Sequence, residues 1–62
     1  MKDELLVVPE KGMWVVKKNK AVHSIHSKKE AAVKVAKILA HNLRTDLYIH
    51  RRNGEVLRTR PL

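Results

Sequence analysis

The chain opens with a short apolar run, Leu5-Leu6-Val7-Val8, that stops at Pro9 and predicts a strand. Pro9-Glu10-Lys11-Gly12 carries turn chemistry, because proline fixes one φ and glycine permits a positive one. Met13-Trp14-Val15-Val16-Lys17 is β-branched and aromatic, and predicts a second strand in a hairpin with the first. Lys18-Asn19-Lys20 reads as a turn, and Ala21 to His26 as extended chain. Ser27 with Glu30 spells a capping box and predicts a helix over residues 28–43, with Asn42, Arg44 and Thr45 as stop residues. Leu47-Tyr48-Ile49-His50 predicts a third strand. Asn53-Gly54 is a strong hairpin signal, and Glu55 to Thr59 returns as a fourth strand. The expected fold class is α+β: a small antiparallel sheet with one helix packed on one face, in the order β-β-α-β-β.

The helical stretch refines this picture. At about 100° per residue, Ala32, Val33, Ala36, Leu39, Ala40 and Leu43 share a face. Val35 and Ile38 extend it, making an apolar arc wider than one sheet needs. Either loops and strand ends cover Val35 and Ile38, or these two belong to a self-association surface. Glu30, Lys34, Lys37, His41 and Arg44 form the polar arc, which on the plain reading is a solvated face with one Glu30–Lys34 pair.

Alternation along the strands places Leu47 and Ile49 toward the helix and Tyr48, His50 and Arg52 away from it. A two-residue Asn53-Gly54 turn would pair Arg52 with Glu55, His50 with Leu57 and Tyr48 with Thr59. Val56 would then join the core, and Arg58 and Arg60 would share its face, which requires a twist or bulge. Trp14 is expected in the core, since a thin core needs its large apolar area.

Composition bounds the rest. The chain has 62 residues, expected to form a single domain over 1–62, and a chain of this size buries only about 60% of its unfolded surface. There is no cysteine, so disulfides, Cys-based zinc sites and thiol nucleophiles are excluded. No run of about 20 apolar residues suggests a membrane span. Lys2-Asp3-Glu4 breaks any signal-peptide pattern, and a cytoplasmic location is expected.

Charge is the strongest functional signal. Fourteen Lys and Arg stand against six Asp and Glu, a formal net charge of +8. Such a surface attracts polyanions, and nucleic acid is the commonest one a small basic protein meets. Four of the five arginines, Arg51, Arg52, Arg58 and Arg60, fall on the last hairpin, and Lys17, Lys18 and Lys20 follow the second strand. These seven are the candidate phosphate contacts, with Tyr48 and His50 adding contacts on the open sheet face. The competing reading is that these are solubilising charges that guard a sheet edge. With one Trp, one Tyr and no Phe, the chain lacks the exposed rings of sequence-specific single-strand RNA readers.

The histidines and acids offer less. His23 and His26, three apart on extended chain, are expected to face opposite ways, with no carboxylate nearby to complete a metal set. The carboxylates are scattered, and no nucleophile–base pair or Gly-rich phosphate loop is evident. No catalytic residue, metal or cofactor is expected, and the chain is read as a non-enzyme.

Val8-Pro9, Gly12-Met13-Trp14-Val15-Val16-Lys17, Ile25-His26-Ser27, Glu30-Ala31-Ala32, Ala36, Leu39-Ala40 and Leu47-Tyr48-Ile49-His50-Arg51-Arg52-Asn53-Gly54 follow one another in a recognisable order. This order resembles a small bacterial family, domain of unknown function 2188, across residues 7 to 56. Asn53 stands where an aspartate is common in that family. The resemblance implies a compact β-β-α-β-β unit and carries no activity or site residues. The functional expectation is a small basic module that binds DNA or RNA through phosphates with little sequence preference. The alternative is a non-enzymatic protein-interaction or homo-oligomeric module, with a homodimer formed through Val35 and Ile38 or a sheet edge.

Overall fold

The computed structural model describes residues 3–60. Five strands and one helix follow in the order β1 (Leu5–Glu10), β2 (Met13–Lys18), β3 (Ala21–His26), α1 (Lys29–Leu43), β4 (Leu47–His50) and β5 (Val56–Thr59). They form a single sheet in the order β3-β2-β1-β4-β5, with α1 packed on one face. The α+β class of the sequence reading stands.

Two corrections concern the sheet. Ala21–His26 is a full strand, so the order is β-β-β-α-β-β. It pairs antiparallel with β2 from Lys18↔Ala21 to Trp14↔His26. The sheet is also mixed, because β1 and β4 are parallel, Leu5↔Leu47 to Val7↔Ile49. The second correction follows from the first. The third strand reverses the chain once more, so the helix returns it to start β4 in the direction of β1.

The turns explain the remaining differences. Pro9 does not end β1, which runs on to Glu10. Beyond Val7 the strand is paired on the β2 side alone, a position where proline is tolerated. Lys11 and Gly12 make the turn at φ 50° and 78°, as a two-residue hairpin loop requires. The β4–β5 hairpin is one residue longer than expected. Arg51 N–H donates to Glu55 O at 2.8 Å, and Gly54 N–H donates to Arg51 O at 3.0 Å. Within this loop Gly54 alone takes a positive φ, 92°. Asn53 instead accepts the Glu55 N–H on Oδ1 at 3.0 Å, so the loop is a turn followed by a glycine bulge. The extra loop residue shifts the register to His50↔Val56 and Tyr48↔Arg58. Leu57 and Thr59 therefore share the helix face with Ile49 and Leu47. Val56 and Arg58 lie on the open face, which removes the conflict of arginine at the core.

The helix lacks the expected Ser27–Glu30 box. Lys28 is the N-cap, with φ −122° and ψ 141° and no side-chain cap bond. Ser27 sits one residue too early, so Glu30 falls at the second helical position and the reciprocal spacing is lost. At the other end Arg44 is left-handed, φ 53°. Thr45 N–H reaches back to Ala40 O at 3.0 Å, and Arg44 N–H to His41 O at 3.3 Å. This is the Schellman closure that glycine usually occupies.

The core lies between α1 and the sheet. Leu5, Val7, Trp14, Val16, Leu47 and Ile49 meet Ala32, Ala36 and Ala40, with Val33, Leu39 and Leu43 packed at its margin. Alanine at i, i+4 and i+8 lets the helix backbone approach the strands closely. Trp14 takes the expected core place at 7% exposure. Ile38 remains 56% exposed and Val35 half-buried. No helix among the described residues is long and apolar enough to cross a membrane.

Candidate nucleic-acid interface

Strand directions sort the basic residues into two ends. β1 and β4 run in parallel toward Glu10 and His50, and β3 runs the same way toward His26. The β1–β2 turn, the β4–β5 loop and the start of α1 therefore gather at one end of the sheet. That end carries Lys11, Lys28, Lys29, Arg51 and Arg52. Lys18, Lys20, Arg44 and Arg60 lie at the opposite end, with the β2–β3 turn and the helix C-terminus.

The structure thus divides the seven basic candidates. Arg51 and Arg52 stand at the first end; Lys18, Lys20 and Arg60 stand at the other. Three are engaged by acids. Lys17 Nζ meets Glu10 at 2.6 Å, Arg51 meets Glu55 at 3.6 Å, and Arg58 meets Asp46 at 2.6 Å. The Asp46 carboxylate also accepts from Arg58 Nε at 2.9 Å. That hydrogen bond first, and the Asp46 charge second, hold the Arg58 guanidinium above its ordinary value. Tyr48 and His50 are half-buried on the open face, with Tyr48 between Leu6 and Arg58 in register.

The first end has a centre. Arg52 Cζ lies 5.7 Å from the Trp14 ring centroid, and Lys29 Nζ lies 5.9 Å from it. The two cations share one largely buried ring, and neither is in an ion pair among the described residues. Each cation–π contact contributes roughly 0.5–1 kcal/mol at an exposed site. Two like charges so placed repel, and an arriving anion relieves that repulsion. The start of α1 adds its partial positive charge at the same end. From Lys29 an open depression of about 440 Å³ continues along the helix, lined by Glu30, Val33, Lys34 and Lys37.

Sequence reasoning missed Lys11, Lys28 and Lys29. Their signal was present in the strand directions, and it becomes readable only once Ala21–His26 counts as a strand.

The histidine pair also differs from expectation. The β2–β3 register slips between Val16 and Lys17, and this irregularity leaves His23 without a cross-strand partner. His23 Nδ1 lies 3.4 Å from Ser24 Oγ, and His26 Nε2 lies 2.9 Å from the same hydroxyl. The two rings therefore converge on one side chain. Among the described residues, no three His, Asp or Glu side chains group as a metal set.

A one-helix mixed sheet with a basic end defines a small α+β class of protein. A family model described as an uncharacterized protein conserved in bacteria, domain of unknown function 2188, matches residues 6–60, and the chain belongs to that family. No curated protein and no solved structure matches it.

Proposed function

We propose that this protein binds nucleic acid through phosphates, with little sequence preference, using the basic end built around Trp14. The observation that carries the reading is the convergence of Lys29 and Arg52 on one ring, with neither in an ion pair among the described residues. Lys11 and Lys28 stand at the same end of the sheet, and Lys34 and Lys37, with Glu30 beside them, continue along the helix. Lysine-rich turns and a helix start suit backbone phosphates, which fix position and carry no sequence information. The net charge of +8 supplies long-range attraction. Lys17, Arg51 and Arg58 are paired with carboxylates and contribute less; Lys18, Lys20 and Arg60 supply general attraction from the far end.

Fluorescence anisotropy with labelled duplex DNA and single-stranded RNA tests this directly. Binding that weakens steeply with salt supports phosphate contact. No binding to either at low salt sinks the proposal.

A further inference from the structure

The helix covers one face of the sheet and leaves the other open. On the open face Met13, Val22, Ile25 and Val56 are 37%, 58%, 58% and 49% exposed. Four of the six exposed large hydrophobics among the described residues therefore share this one surface. Between them lie Leu6, Val8 and Tyr48, half-buried, and Val15, which is 5% exposed without a covering layer. Glu10 and Lys17 flank the Val8↔Val15 pair, and their ion pair spans it.

We propose that this open face docks a second copy of the same chain, face to face, as the two sheets of a sandwich. Three features favour a second copy. First, the ion pairs on this face, Glu10–Lys17 and Asp46–Arg58, each sum to zero. A chain of net charge +8 repels its own copy over most of its surface, and this neutral face is where two copies approach at least cost. Second, the area is adequate. Strands about 4.8 Å apart and rising roughly 3.3 Å per residue make a five-stranded face on the order of 400 Å² in plan. Two such faces, with their side-chain relief, approach the ~1,000 Å² expected of a specific interface. Third, the sheet edges are blunted against pairing. β3 carries an irregularity in its register, and β5 is four residues long and carries Arg58. A two-fold axis between the faces makes the contact self-complementary. Sheets in such packings lie about 10 Å apart, with their strands roughly aligned. Ile38, on the outer side of α1, takes no part. This inference is independent of nucleic-acid binding.

The test is sedimentation equilibrium on the full chain from about 5 µM to about 1 mM, in the range where weak dimers dissociate. A mass of twice 7.2 kDa at the upper concentrations is expected. A mass of one chain throughout overturns the proposal. Ile25→Lys and Val56→Lys should each weaken the dimer more than about tenfold, while Ile38→Lys leaves it unchanged. The reverse pattern would place the interface on the helix and overturn the proposal. Circular dichroism checks that the variants fold. If they do not, amide chemical shifts of the unaltered chain on dilution decide the matter. Movement at Val15, Ile25 and Val56 supports the sandwich; movement confined to Val35 and Ile38 refutes it.

Discussion

Removing Lys29 and Arg52 together should flatten the salt dependence of nucleic-acid binding. Four cations at the basic end, Lys11, Lys28, Lys29 and Arg52, have no ion-pair partner among the described residues. If each neutralises one phosphate of a duplex, the slope of log K against log salt is about −3.6. A fourfold rise, from about 50 to 200 mM salt, then weakens binding roughly 150-fold. With Lys29→Ala and Arg52→Ala the slope falls to about −1.8 and the same rise costs only about 12-fold. The matched control is Lys18→Ala with Lys20→Ala, which removes the same charge from the opposite end of the sheet. Anisotropy titrations on a short labelled duplex, at four or so salt concentrations, measure all three slopes. Thermal melts establish that each variant is folded. Equal slopes for the two double variants would mean that net charge, and no particular end, attracts the polymer. The assignment of the interface would then fail, though binding itself would stand.

Three further outcomes concern the fold. Arg44→Gly relieves a left-handed residue at the end of the helix, and should add roughly 1 kcal/mol, a rise of about 4–8 °C in Tm for a chain this size; an unchanged or lower Tm would contradict the helix-end geometry. Gly54→Ala should lower stability by about 1 kcal/mol in urea melts, because the loop needs φ 92° there although a Cβ meets nothing within 4 Å. A null result would mean that the hairpin uses a different turn. Leu47→Ala empties a fully buried place between β4 and α1 and should cost about 2–5 kcal/mol, enough to unfold a thin core at room temperature. A cooperative transition near that of the parent chain would show that the core is wrongly placed.

Much of the architecture was legible because local chemistry agreed with the tertiary outcome. The alanine face of α1, the inward Leu47 and Ile49, and the burial of Trp14 follow from periodicity and from the need for apolar area. The errors were also physical. Ala21–His26 alternates small, polar and apolar residues because it is an edge strand whose side chains are mostly exposed. No buried face imprints a pattern on such a segment. The capping box failed by one residue, since Ser27 is used to leave β3 and the helix begins after Lys28. Asn53-Gly54 suits two loop lengths, and the hydrogen bond that the Glu55 N–H donates to Asn53 Oδ1 goes with the longer one.

The candidate interface was less legible than the fold. Clustering in sequence suggested Arg51, Arg52, Arg58 and Arg60 as one group, and Lys17, Lys18 and Lys20 as its flank. A strand of four residues is long enough to carry Arg58 away from Arg51 and into the reach of Asp46.

By itself, then, the sequence determined the class of fold, the helix with its small-residue face, the excess of positive charge and the family. Those properties are local or additive: each depends on residue type and short-range period. The tertiary structure alone decided which cations meet, which are neutralised and which face of the sheet stays apolar and open. Those depend on strand direction and register. One additional reversal of the chain, or one additional residue in a loop, moves a side chain to the other end or the other face without altering the composition at all.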